Sequence, residues 1–315
     1  MRRVLLSGLV CVTVLGAVAA PADAQETPPA CFGQAATMVG TEQNDTIDGT
    51  EGPDVIVGLD GHDRINGLGG DDFMCGNKRY DRLDGGDGND KIDAGKGDDY
   101  SSGGPGDDLI FARGGYFREG FGDTLLGGSG ADRMVGGRFG DYFVPGRGRD
   151  LLDGRGDEAA SDLVDYPTAV RGVTVDLARG FARGQGRDHL SEIEDVRGSV
   201  YPDVLLGNGK QNRLVDTAYD GPSGNDVFRG RGGPDILAGA RGNDRLYGGR
   251  GDDYLVGGLG HDEAHGSVGR DYFVMRDRLR DLVWGGRGRD SAHRDAYLDR
   301  LRSIEEFITC CGFDG

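Results

Sequence analysis

Beyond an apolar run at Val4–Ala20, hydrophobic residues in this chain cease to cluster and instead recur singly, nine positions apart. In the phase that starts at Gly40, units open at 40, 49, 58, 67, 76, 85, 94 and 103. Their eighth residues are Ile47, Ile56, Ile65, Met74, Leu83, Ile92, Ser101 and Ile110, so Ser101 alone breaks the apolar column. Their sixth residues are aspartate throughout: Asp45, Asp54, Asp63, Asp72, Asp81, Asp90, Asp99 and Asp108. The phase slips at 112–117 and resumes at 118 with Asp123, Asp132, Asp141 and Asp150. It returns at 198 with Asp203 and breaks at "DTAYD" (216–220). From 221 it carries Asp226, Asp235, Asp244, Asp253, Asp262 and Asp271, with a stray unit at 285 bearing Asp290.

A helix would need its apolar residues at a period near 3.6, and this pattern has none. Three residues around each eighth position, such as Lys91-Ile92-Asp93, predict a short strand with one inward side chain. Glycines at the first, second and fourth positions allow the sharp turns between strands. Two units then make one coil of two strands and two turns. Stacked coils pair their strands in parallel and pile the eighth residues into a thin core. The fold predicted is all-β, a parallel β-roll (β-solenoid) in two to three blocks. Stacking also places sixth-position carboxylates in neighbouring layers at about 4.8 Å. Carboxylates so close repel unless a cation lies between them. Hard oxygen donors in a turn suit Ca²⁺, which accepts roughly six to eight of them in loose geometry.

The units "GGDGNDKID" (85–93), "GGPGDDLIF" (103–111), "GARGNDRLY" (239–247) and "GGRGDDYLV" (248–256) resemble the calcium-binding repeats of the RTX (hemolysin-type) family, G-G-x-G-x-D-x-U-x with U apolar. The resemblance covers most of 40–153 and 198–274. It implies a β-roll that holds multiple Ca²⁺ ions between stacked turns by main-chain carbonyls and position-six aspartates. The metal ligands it implies in the first block are Asp45, Asp54, Asp63, Asp72, Asp90, Asp99, Asp108, Asp132 and Asp141. In the second block they are Asp226, Asp235, Asp244, Asp253, Asp262 and Asp271. Some units depart from the pattern: Gln43 and Arg79 stand at position four, and Asn212 replaces the aspartate of the unit at 207. The resemblance to a calcium site is weaker at those turns, although the coil continues through them. Asp188 lies outside the repeat phase and is expected to play no part.

Around the repeats the chain divides further. Residues 1–24 read as a signal peptide: Arg2 and Arg3, the apolar run, then Ala22-Asp23-Ala24 as a cleavage site. A retained membrane anchor is the competing reading. Residues 25–39 form an N-terminal cap, 154–197 a connector with a longer strand at Val173–Leu177, and 275–315 a C-terminal cap. "LSEIEDV" (190–196) and "LRSIEEF" (301–307) are similar and read as wider coils that close a block, with a short helix at 294–308 as the alternative. Four cysteines follow the signal segment. The coil stack separates the ends by tens of ångströms, so pairing stays local: Cys31 with Cys75 through a folded-back N-terminus, and Cys310 with Cys311 as a vicinal bond or free thiols.

Composition adds the direction of charge. With 61 Gly among 315 residues, 36% hydrophobic residues and a net charge of −18, the chain disfavours nucleic acid and anionic membranes as partners and favours cations. "HDEAH" (261–265) departs from the zinc-protease spacing, and it fills positions five to nine of a repeat. The expectation is a secreted, extracellular calcium-binding roll, disordered without calcium and folded with it, with no catalytic site. An adhesive or matrix scaffold, and the remnant of a toxin or enzyme that lost its catalytic domain, are the alternatives. Acid is expected to reverse folding by protonating the aspartates.

Overall fold

The computed structural model describes residues 28–114, 122–155, 161–216, 224–294 and 299–307. The signal segment, Cys310 and Cys311 lie outside them. Among the described residues there is no helix, and hence none long and apolar enough to cross a membrane. Instead the chain winds into a parallel β-solenoid of about 14 turns.

Successive strands alternate between two sheets, one of 14 strands and one of 16. Strands two units apart pair in parallel: Thr46, Ile47 and Asp48 face Arg64, Ile65 and Asn66, which in turn face Arg82, Leu83 and Asp84. Both expected strand lengths and longer ones occur. Arg64–Asn66 and Arg82–Asp84 have three residues, while Val55–Asp60 and Phe73–Lys78 have six, because pairing there runs on through positions one to three of the next unit.

The core is the eighth-position column. Ile56, Ile65, Met74, Leu83, Ile92, Ile110, Phe143, Phe228 and Phe273 are fully buried in one continuous cluster. Ser101 lies in the same column between Leu83 and Leu125, buried, and its hydroxyl has no hydrogen-bond partner.

The connector differs from its expected form. Its strand covers only Thr174–Asp176, and it forms an antiparallel meander with Phe181–Arg183 and Arg187–Ser191 inside the 16-stranded sheet. Such a meander widens the coil without interrupting the sheet. At the other end, Arg300–Arg302 and Glu306–Phe307 are strands, not helix. At the N-terminus a two-stranded hairpin of Ala30–Cys31 and Gln34–Ala35 turns the chain back, and Cys31 forms a disulfide with Cys75, their Cα atoms 5.7 Å apart.

Candidate metal sites along the turns

Each coil turns twice, and each turn carries one carboxylate in the same pose. The main-chain N–H of a sixth-position residue donates to Oδ1 of its counterpart one coil further on: Asp54 to Asp72, Asp72 to Asp90 and Asp90 to Asp108, at 2.8–2.9 Å. This joins the aspartates into two rows. One runs 45, 63, 81, 99, 123, 141 and 162, ending on Glu194; after the connector it continues 212, 235, 253, 271 and 290, ending on Glu305. The other runs 54, 72, 90, 108, 132, 150 and 188, then 203, 226, 244, 262, 281 and 299.

The second carboxylate oxygen divides the turns into two kinds. Oδ2 is buried without any hydrogen bond at Asp63, Asp72, Asp81, Asp90, Asp99 and Asp108, and likewise at Asp132, Asp226, Asp235, Asp244, Asp253, Asp262 and Asp271. At other turns the chain caps it. Asp45 Oδ2 accepts from the N–H and hydroxyl of Thr41, Asp54 Oδ2 from those of Thr50, and Asp141 Oδ2 from the N–H of Gly137. Asp203 is capped by Ser199, and Asn212 by Asn208.

Backbone conformation at position two sets the choice. Leu59, Leu68, Asn77, Arg231, Ala240 and Ser267 have φ between 65° and 87°, and the aspartates of their turns are uncapped. Thr41, Thr50, Gly137, Ser199 and Asn208 avoid positive φ and aim their N–H at the carboxylate. A left-handed residue points this N–H away, at a cost of about 1–2 kcal/mol for a non-glycine.

At several uncapped turns Oδ2 faces a second acceptor. A Cβ placed on Gly58 would lie 2.5 Å from Asp63 Oδ2 and 2.9 Å from the carbonyl oxygen of Gly76 in the next coil. Two hard oxygens thus border one small space kept open by glycine, with no N–H between them. Buried acceptors so arranged call for a proton or a cation. Burial, reinforced by the neighbouring charge of Asp123, pushes Asp99 up to about 9; burial with Asp226 and Asp262 does the same to Asp244. Burial takes Asp90 to about 7 and Asp253 to about 6.

The donor set fits Ca²⁺: carboxylate and carbonyl oxygens, with no sulfur or nitrogen at most turns. Among the described residues no three His, Cys, Asp or Glu side chains form a metal cluster, because each uncapped turn offers one carboxylate and otherwise main chain. One predicted ligand departs from this set. At Gly257, beside Asp262, the buried Met275 Sδ stands where other turns present a carbonyl.

The model of the RTX calcium-binding nonapeptide repeat matches residues 39–74, 76–115, 120–143, 220–255, 229–264 and 247–274. These repeats belong to the RTX calcium-binding family. No curated protein matches the chain. The RTX β-roll implies calcium binding, with Ca²⁺ as the partner of the turns.

Reading the glycine-rich phase alone misses part of the rows. Asp162, Asp188, Glu194, Asp281, Asp299 and Glu305 all occupy rungs outside it. Their shared signal is an acid two residues before an apolar strand residue, inward in Asp281-Leu282-Val283 and Glu194-Asp195-Val196. Asp188, expected to play no part, accepts the N–H of Asp150, and its Oδ2 takes the Tyr166 hydroxyl at 3.4 Å. Position five, variable in the repeat, has a ladder of its own: the N–H of His62, Asn89 and Asn243 donates to the side chains of Asn44, Asp71 and Asn225. The two histidines of "HDEAH" go to different neighbours. His265 stacks between Tyr247 and Trp284, with ring centroids 5.0 and 4.3 Å away, and the His261 ring meets the Arg280 carbonyl.

Proposed function

We propose that this chain is a secreted calcium-binding roll without catalytic activity, disordered until calcium enters its turns and rigid once it has. The observation that carries the reading is the repeated, buried and unbonded Oδ2 beside a main-chain carbonyl. Without cations, each such turn buries an acceptor that has lost water and gained nothing, at about 1–3 kcal/mol apiece. One apolar side chain per nine residues offsets little of that cost and of the chain entropy. Calcium binds the folded stack and hardly the unfolded chain, so its binding free energy becomes folding free energy. Extracellular calcium modules bind at roughly 10⁻⁴–10⁻³ M, well above cytosolic calcium, which fits a chain exported unfolded.

Uncapped turns are the metal turns under this reading. Asp63, Asp72, Asp90, Asp99, Asp108, Asp132, Asp226, Asp235, Asp244, Asp253, Asp262 and Asp271 then supply ligands, with Asp81, Asp123, Asp150, Asp281 and Asp290 added. Asp45, Asp54 and Asp141 serve as metal-free turns closed by their own chain.

The test is far-ultraviolet circular dichroism of the mature chain in chelator, then with millimolar calcium or magnesium, with calorimetry for stoichiometry. A β-rich signal appears with calcium and only weakly with magnesium, which wants a tighter octahedral shell. A full β signal in excess chelator at pH 8 overturns the proposal.

A further inference from the structure

We propose that a groove on the outer face of the 14-stranded sheet binds an extended acidic peptide segment of another protein, one that interleaves carboxylates with apolar side chains. The groove has a volume of about 760 Å³, within the range of roughly 300–1,000 Å³ usual for ligand clefts. Its floor is Val215, Ala238 and Val256, which sit side by side in three paired strands. Beside them Ile236 and Tyr254 are neighbours in register and partly exposed, and Leu259 closes the turn side at 47% exposure. Apolar surface of this kind in a chain of mean hydropathy −0.48 is an unusual expense if nothing covers it.

Cations ring this floor. Arg197 is engaged by Asp165 at 3.2 Å. Arg213, Arg241 and Arg276 are exposed; Arg213 lies opposite the Asp195 carboxylate on the paired strand, while the guanidinium groups of Arg241 and Arg276 make no hydrogen bond or ion pair among the described residues. Two arginines without an acidic partner among the described residues, beside two that are partly neutralised, surround one apolar trough in a molecule of net charge −18 and select an anion locally against the charge of the whole.

The chemistry of the lining narrows the anion. Besides the arginines its described lining holds one acid, Asp216, and Tyr254, and among the described residues no Asn, Gln, Ser, Thr or His. The hydroxyls of a sugar would find few partners here, whereas guanidinium forks match carboxylates and the floor takes aliphatic side chains. The trough crosses the strands from Asp195–Arg197 to Tyr254–Val256, at about 4.8 Å per strand, and continues to Arg276. That length suits roughly five residues of extended chain.

The experiment is fluorescence anisotropy of a labelled Glu-Leu-Glu-Leu-Glu-Leu peptide with the full mature chain in millimolar calcium. The peptide binds saturably, and binding weakens as salt rises. Replacing its glutamates by glutamine, or making the Arg241→Glu/Arg276→Glu double variant, weakens binding at least tenfold, while the dichroism of the variant matches the parent. If charge reversal disturbs the roll, Arg241→Gln/Arg276→Gln is used in its place. No peptide binding, or equal binding by the variant, overturns the proposal. So does binding of a sulfated oligosaccharide in place of the peptide, or self-association of the chain that the double variant abolishes.

Discussion

The main-chain N–H of Asp90 donates to Oδ1 of Asp108 at 2.9 Å, while Oδ2 of that same carboxylate receives nothing. One oxygen therefore builds the stack and the other is left for a ligand. The division explains why the family repeat keeps an acid at position six where an asparagine would serve the ladder equally well. Asn212 shows the side chain used otherwise, since among the described residues it accepts no N–H from the preceding rung. Its Oδ1 is capped by Asn208, and its Nδ2 donates to the Glu194 carbonyl, so its turn is closed without charge.

Asp90→Asn and Asp253→Asn each lower the calcium stoichiometry by calorimetry and raise the calcium midpoint of folding severalfold. Asp54→Asn, at a turn capped by Thr50, leaves the stoichiometry unchanged. Equal calcium loss at all three positions refutes the distinction between capped and uncapped turns.

Much of this was legible in the sequence and some was not. Period nine gave the coil, the core column from Ile47 onward and the acid at position six, because glycine turns and one inward side chain leave few alternatives. Whether Asp54 or Asp63 meets a cap was hidden, since it depends on φ at Thr50 and Leu59, and neither residue is glycine. Asp281 was hidden for the opposite reason. Its unit has lost the glycines that mark the phase, while the strand Leu282–Arg287 and the ladder need only the acid and Val283.

The pH response changes sign with calcium. In the ion-free roll, burial raises the folded pKa of Asp90 to about 7 and of Asp99 to about 9, against an ordinary value near 3.9. A raised folded value means that stability from these groups is complete below about pH 4 and is lost as pH climbs through 7 to 9. In calcium the carboxylates must be ionised, so protons compete with the metal and acid releases it. Calcium-depleted protein thus gains β signal from pH 8 to pH 5, and loaded protein loses bound calcium over the lower part of that descent. An ion-free spectrum that does not change between pH 5 and 9 contradicts the assignment.

Ser101→Ala stabilises the calcium-loaded chain by about 1 kcal/mol, because it removes a buried hydroxyl that bonds to nothing while hardly changing volume. Denaturant unfolding in saturating calcium reads the shift. A destabilised variant would mean that Ser101 has a partner, such as an ordered water.

Arg231 ties the connector to the second block. It stands at position two with φ of 76°, and that left-handed backbone turns its side chain back across the intervening strand Val204–Leu206. There it forms a bidentate pair with Asp176, at 2.7 and 3.0 Å, and bonds the Gly207 carbonyl. Burial would raise the Asp176 carboxyl, but the bonds to Arg231 outweigh it and hold the group below its ordinary value. Its stability contribution is therefore present above about pH 4 and lost as pH falls through the lowered folded value. Arg231→Ala leaves a buried carboxylate with the Arg179 main-chain N–H at 3.3 Å and the largely exposed Arg179 guanidinium 3.8 Å away. The expected loss is about 1–2 kcal/mol, kept to the lower part of the range for a buried ion because the guanidinium is partly in water. Asp176→Asn with Arg231→Ala costs less than the sum of the two single changes, by at least about 0.5 kcal/mol of coupling in denaturant unfolding at saturating calcium. Strict additivity would show that the connector is held by its sheet pairing and not by this pair.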